Sequence, residues 1–368
     1  MIVTTAGWLN VPSTTALALP GLEADNFLAF LALLGLLRAL ETVQPAWSPR
    51  ASWGQPPWVA HLHLAEGEER VDEVAVAQAA DEGLQVLAQD LAKVQEALAA
   101  ADRQPSPPVA ARRGRGGRTG HAGATTAADA KDVWSANLPP PLYRALAEER
   151  SDRAAAAALL AALAGEYPVG RTGYVSVSPL VLTRGQGHQR FLEDLFAVLG
   201  ATTAAATDGP TAVADRVGHL EAALFRPWRR ADPRGGFRWD PEEDRRHALR
   251  FRDPSAEGAR TQLGATRLAA AGFLSLASAP AGQRLETRGV VRTDTELVYV
   301  WPLWSVPLTR SAVEVLLGHP ALLTRQPSPA RLEPLGVTEV VRAPRIRAGK
   351  FSTVGRGAPC FGSPLVSG

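Results

Sequence analysis

Apolar residues recur at helical spacing in several segments of the chain. In residues 23–43, phenylalanines and leucines fall every three or four positions, and no charge interrupts residues 26–37. A membrane-spanning helix needs about 20 such residues, so this segment predicts a buried core helix. A second long helix is predicted over 71–101, where five apolar residues between Leu84 and Leu98 form one stripe. Shorter helices are predicted over 142–165, 211–225, 241–251, 262–276 and 311–317, and residues 184–199 are predicted to form a glycine turn that leads into a helix.

Strands are indicated where apolar and polar residues alternate or where β-branched and aromatic residues cluster. These segments are 58–64, 173–182, 296–301 and 338–342. Helical segments outnumber them, so the predicted fold is α+β and helix-rich, with a mixed N-terminal part, a helical C-terminal part and a few short strands.

Residues 103–130 interrupt the pattern. Proline, glycine and small residues dominate this segment and leave little that could pack into a core. We therefore divide the chain into a mixed α/β part over 1–102, a flexible Arg/Gly-rich loop over 103–130, and a helix-rich part over 131–368. That last part carries short strands and a basic tail.

The overall charge is nearly balanced, with 39 basic against 37 acidic residues and a net charge of +2. Any contact with a polyanion must therefore come from local patches. Cys360 is the single cysteine, which excludes an internal disulfide and a zinc site built from paired cysteines. We expect a reducing, cytoplasmic location, no membrane-spanning or targeting segment, and no cofactor.

Two basic patches are candidates for binding phosphates. The first is the loop, with four arginines on a glycine-rich backbone; a solvated linker explains it equally well. The second is the run 342–357, which has five basic residues and no acid. Cations of this kind release counterions when they neutralise phosphates. The candidate residues of the two patches are Arg112, Arg113, Arg115 and Arg118 in the loop, and Arg345, Arg347 and Lys350 in the run.

The segment TRGQGHQRFLEDL, residues 183–195, places a Gly-Gln-Gly turn before a predicted helix. Free amides at a helix start can hold an anion, and Gln186, His188 and Gln189 would be the polar contacts. A plain turn is the competing interpretation, because the lysine of a P-loop is absent.

The segment RWDPEEDRRHALRFRDPS, residues 238–255, has a helix-start pattern. Asp240 is a suitable N-cap, and the acids that follow complement the helix dipole, which argues against a metal site. Arg245, Arg246 and Arg250 could contact a phosphate backbone.

Other polar and aromatic residues receive structural interpretations. His61 and His63 share a strand face, but no third ligand stands at metal-binding spacing. Four tryptophans at 228, 239, 301 and 304 are interpreted as core residues, although aromatic faces beside arginines can stack on bases. The chain has no nucleophile elbow, HExxH or Walker motif, so no residue is predicted to be catalytic.

Several of these segments, taken in order, resemble subunits of type I-G (formerly I-U) CRISPR effector complexes, of the large-subunit or accessory kind. They are LPGLEADNFLAFLALLGLLRALE, SPLVLTRGQGHQRFLEDL, WDPEEDRRHALRFRDPS, GATRLAAAGFLSLA and WPLWSVPL. The resemblance implies assembly with other effector subunits on a guide RNA. It also implies contact with target DNA, help in recognising the protospacer-adjacent motif, and recruitment of a helicase-nuclease.

Two alternatives stay open. One is a metal-independent endoribonuclease that processes guide RNA with His188 or His247 as general acid or base. The other is an adaptor that contacts only proteins.

Overall fold

The computed structural model describes twelve segments of the chain: residues 14–54, 58–65, 71–103, 133–149, 153–166, 173–183, 190–200, 210–233, 236–244, 260–293, 296–349 and 351–362. In these segments helices predominate over strands. The helices are α1 (Phe27–Val43), α2 (Glu73–Arg103), α3 (Pro140–Glu149), α4 (Ala154–Leu163), α5 (Phe191–Gly200), α6 (Pro210–Phe225), α7 (Leu263–Phe273), α8 (Arg310–Leu317) and α9 (Pro329–Leu332). The fold is α+β and helix-rich, as predicted.

The strands form small antiparallel sheets. They are β1 (Thr14–Glu23), β2 (Arg50–Trp53), β3 (Val59–Ala65), β4 (Ala164–Gly165), β5 (Ser176–Val177), β6 (Ser278–Ala281), β7 (Arg284–Thr287), β8 (Val290–Arg292), β9 (Leu297–Trp304), β10 (Val337–Ala348), β11 (Phe351–Val354) and β12 (Ala358–Pro359). One sheet has the order β1-β3-β2. A larger one has the order β11-β10-β9-β8, with β12 also paired to β10.

Helix α1 lies at the centre of the core, and 13 of its 17 residues are buried. It begins at Asn26, whose side chain accepts a hydrogen bond from the Leu28 amide at 2.9 Å. Residues 27–37 of this helix are apolar on all sides and must therefore be covered on all sides. Helices α2 and α7 and strand β1 provide that cover, together with aromatic residues of the larger sheet.

Glycines allow the covering helices to approach α1 closely. A methyl group on Gly35 of α1 would clash with the Leu268 carbonyl of α7, and one on Gly272 of α7 would clash with the Leu31 carbonyl of α1. Gly83 brings α2 against the Ala39 carbonyl of α1 in the same way. The helix crossings therefore depend on positions that have no side chain.

The larger sheet covers α1 with aromatic side chains. Trp301 of β9 packs on Phe27 and Phe30 with ring centroids 5.5 and 6.0 Å apart, and Tyr299 lies 5.3 Å from Phe27. Trp301 also donates a hydrogen bond to the Ala24 carbonyl at 3.0 Å. Trp301, Trp304 and Trp239 are all fully buried, which confirms the core interpretation of these tryptophans.

A buried ionic cluster joins three helices. Arg267 of α7 is fully buried and donates to the Asp81 carboxylate of α2 at 2.8 Å, while Arg216 of α6 donates to the same carboxylate at 3.1 Å. Burial lowers the pKa of Arg267, and Asp81 acts in the opposite direction. The parts of the chain before and after residues 103–130 thus share one core and one ionic cluster.

The core helix over 23–43 and the stripe of α2 are confirmed, and so are the strands near 58–64 and 296–301. Two other expectations are wrong. The strand over 173–182 is reduced to Ser176–Val177. The helix predicted from residue 241 starts instead as a 3-10 turn, Pro241–Glu243, after which Asp244 is extended, and residues 245–251 lie outside the described segments. Across the described segments, no helix combines the length and apolar character needed to cross a membrane.

Replacing Gly272 by alanine should lower the free energy of unfolding by about 1–3 kcal/mol, because the methyl group forces α1 and α7 apart. The matched control is Gly218→Ala in α6, where a methyl group meets nothing within 4 Å. That change should leave stability unchanged or raise it by about 0.5–1 kcal/mol through helix propensity. Urea titration measures both. Equal stabilities of the two variants would contradict the close crossing.

Candidate nucleic-acid interface

Most of the residues predicted to bind nucleic acid lie outside the described segments. These are Arg112, Arg113, Arg115, Arg118, Gln186, His188, Gln189, Arg245, Arg246, Arg250 and Lys350, together with the alternative catalytic residue His247. Arg345 and Arg347 are described, and the site is built from them.

The basic run 342–357 is for the most part a β-hairpin and not a tail. Strand β10 continues to Ala348 and pairs with β11, so that Arg345 lies opposite Val354 and Arg347 opposite Ser352. β-strand geometry places residues two apart on one face of the sheet. The two arginines therefore point to the same side.

Two arginines of this run are engaged inside the protein. Arg356 forms ion pairs with Asp25 at 2.9 Å, Glu242 at 2.7 Å and Glu23 at 3.3 Å. Arg342 donates to the Thr324 carbonyl at 3.2 Å and also to the Arg325 carbonyl. The count of five positive charges in the run thus overstates the charge that is available to a ligand.

A third arginine, Arg292 of β8, lies near Arg345 and Arg347. Arg292 pairs with Leu297 across β8 and β9, and β10 runs along the other side of β9, so Arg292 lies on the same sheet face. Arg292 and Arg347 are exposed, while Arg345 is half-buried. We call these three residues the arginine strip. Within the described segments, none of them forms an ion pair with a carboxylate.

The electrostatics of the arginine strip favour an external anion. Burial lowers the pKa of Arg345; the Tyr299 hydroxyl acts in the opposite direction, and Arg347 and Arg292 lower it further. The Nε of Arg345 is buried and has no hydrogen-bond partner among the described residues. An arginine keeps its charge even so, because a guanidinium is not deprotonated in proteins. A phosphate placed here would relieve the mutual repulsion of the cations and supply acceptors.

The acidic segment 240–244 serves the fold. The Asp240 carboxylate accepts hydrogen bonds from Asn26 at 3.1 Å, from Arg230 at 2.8 Å and from the Glu242 amide at 3.1 Å. This confirms Asp240 as a cap, although the turn that it caps is a 3-10 turn. The structure, over the segments it describes, brings no three His, Cys, Asp or Glu side chains together in a metal-binding arrangement.

The segment before the glycine turn is held against the sheet. Trp239 donates to the Leu180 carbonyl at 2.9 Å, and Tyr299 donates to the Pro179 carbonyl at 3.0 Å. Residues 184–189, which carry the predicted turn, follow Thr183 directly.

Sequence reasoning missed Arg292, because only the pairing of β8 with β9 places it beside the C-terminal hairpin.

Glu243 makes stability depend on pH. Burial raises the pKa of Glu243 to about 7 from its usual 4.5, and outweighs the opposing attraction of Arg238. Between these two values the folded state holds a proton that the unfolded state has released. Stability should therefore fall as pH rises from about 4.5 to 7 and level off above that, by about 3 kcal/mol at about 1.4 kcal/mol per pKa unit.

The variant Glu243→Gln should remove this slope. Thermal or urea unfolding between pH 4.5 and 8 compares it with the parent chain and with the control Glu296→Gln, an exposed position. An unchanged slope in Glu243→Gln would contradict the assignment of the proton to Glu243.

Comparison with known proteins leaves the site to be interpreted from its own residues. The chain matches no protein-family model, no curated protein and no solved structure.

Proposed function

We propose that the chain is a non-catalytic subunit of a type I-G-like CRISPR effector complex that contacts guide RNA or target DNA. The observation that carries the proposal is the arginine strip, Arg292, Arg345 and Arg347. Three cations stand on one sheet face without an ion-pair partner in the described segments, while nearby arginines such as Arg356 are neutralised by carboxylates. Unpaired arginines of this kind bind phosphate oxygens and position a strand without reading its sequence.

The wider role in the complex comes from the resemblance. In such assemblies base pairing with the guide supplies sequence specificity, and protein subunits hold the backbone and the short flanking motif. We accordingly assign this chain other effector subunits and a recruited helicase-nuclease as partners. A cytoplasmic location belongs to the same proposal and agrees with the free, half-buried thiol of Cys360.

The enzyme alternative stays a prediction. Its candidate bases, His188 and His247, lie outside the described segments. Of the histidines on β3, His63 is hydrogen bonded to the Ser52 hydroxyl at 2.8 Å, and burial lowers its pKa. A binding role requires only the cations that the arginine strip provides.

The double variant Arg345→Ala, Arg347→Ala should weaken binding of a single-stranded oligonucleotide and make its salt dependence shallower. Each lost phosphate contact removes about 0.7 from the slope of log K against log salt concentration on a single strand. Two lost contacts should reduce the slope by about 1.4. Filter binding or fluorescence anisotropy between 50 and 300 mM salt measures the slope for the parent chain and for the variant.

Arg356→Ala is the matched control, since it removes one arginine of the same basic run whose charge is already paired with Asp25 and Glu242. We expect it to lower stability and to leave the salt slope unchanged. If the parent chain, alone and in its complex, binds neither RNA nor DNA, the proposed function is wrong. If Arg356→Ala changes the slope as much as the double variant does, the arginine strip is not the contact.

A further inference from the structure

A cavity of about 620 Å³ opens beside the arginine strip. It lies between the hairpin formed by β6 and β7, strand β8, the end of α8 and Pro179. Its size falls within the range of roughly 300–1,000 Å³ that is typical of small-molecule sites. Arg292 belongs both to the wall of the cavity and to the arginine strip, so a ligand lying along the strip reaches the cavity directly.

The cavity has a net positive lining. Arg284, Arg288 and Arg292 contribute to the wall, and Glu286 is the only carboxylate among the lining residues. Arg284 and Arg292 form no ion pair with any carboxylate of the described segments, and Arg288 reaches Glu314 only at 3.9 Å.

Glu314 is itself shared. It also pairs with Arg38 at 3.5 Å and with Arg310. One carboxylate among three arginines leaves positive charge uncompensated, although Glu41 takes part of the charge of Arg310 at 2.7 Å. An anionic group entering the cavity would therefore meet cations that still lack full partners.

The rest of the wall is apolar. Leu285, Val290, Val291 and Leu323 line it together with two prolines, and the Ser278 and Thr287 hydroxyls are hydrogen bonded to each other at 2.8 Å. A ligand that suits this lining has a charged end for the arginines and a flat, weakly polar part for the aliphatic side chains. A nucleotide has both, with its phosphate and its base.

We infer that the cavity receives one nucleotide of a single-stranded RNA or DNA whose adjoining phosphates lie on the arginine strip. The base would rest on the aliphatic wall, and its phosphate would contact Arg284, Arg288 or Arg292. A base inside a duplex is stacked and paired and cannot enter such a cavity, so the strand must be single or locally opened. The inference rests on the proposed function and adds to it a preference for unpaired strands that carry bases.

The test compares an oligonucleotide with an abasic chain of the same length and charge. Burial of the apolar faces of one base against the aliphatic wall should make the parent chain bind the base-containing strand about tenfold more tightly than the abasic strand. The variant Ala279→Trp, which fills the cavity from β6 and keeps every arginine, should bring this ratio close to one. It should reduce the salt slope by no more than the one phosphate contact made in the cavity, about 0.7. Ala100→Trp, at an exposed position of α2, is the matched control and should keep the parent ratio.

A second variant keeps the test decisive if Ala279→Trp does not fold. Arg284→Ala removes an exposed cavity arginine and should lower affinity for the oligonucleotide severalfold. Arg331→Ala, which removes an exposed arginine of α9 outside the cavity lining, should not.

Equal binding of abasic and base-containing strands by the parent chain would overturn the inference and leave the proposed function intact. If the parent chain binds neither the abasic nor the base-containing strand, both the inference and the proposed function are wrong. Tighter binding of a nucleoside 5′-monophosphate than of the oligonucleotide would assign the cavity to a free nucleotide and overturn the strand model.

Discussion

The burial of helix α1 is the constraint on which the rest of the structure depends. An uncharged segment of this length is too short to span a bilayer and too apolar to face water on any side, so other elements must surround it. Helices α2 and α7 do so through glycine contacts, and β9 does so through Tyr299 and Trp301. The sheet that carries the arginine strip is held in place because it covers α1. Its position follows from the packing of the core and not from the arginines themselves.

The arginines fall into two groups, those that pair with carboxylates of the protein and those that do not. Arg267 is buried against Asp81, and Arg356 pairs with three acids from two parts of the chain. These cations stabilise the tertiary structure, and breaking a buried pair such as Arg267–Asp81 typically costs about 3–5 kcal/mol. Arg292, Arg345 and Arg347 are different, because the described segments offer them no carboxylate. A nearly neutral protein can therefore present a local positive surface, which is the property that binding to a polyanion requires.

Sequence reasoning predicted the helices better than the site. The pattern of α1 and α2 was clear because their apolar positions repeat over many residues, and the Asp240 cap was recognisable from its local residues. The strand β1 was missed because Pro20 and Gly21 interrupt its alternation, and β8 is only three residues long. The charges were misjudged for a different reason. Arg356 and Asp25 are 331 residues apart, so no local pattern could show that one neutralises the other. For the same reason the sequence did not indicate that Arg292 lies near Arg345, because that proximity depends on strand pairing.

Photo-crosslinking tests the central claim most directly. The chain would be irradiated with single-stranded RNA containing 4-thiouridine, alone and in its assembled complex, and the crosslinked peptides would be identified by mass spectrometry. The proposal predicts crosslinks in the peptides that contain β8 and the β10–β11 hairpin, near Arg292 and Arg345. Crosslinks that avoid both peptides, or a chain that stays unlabelled while its partner subunits react, would contradict it and favour an adaptor that contacts only proteins.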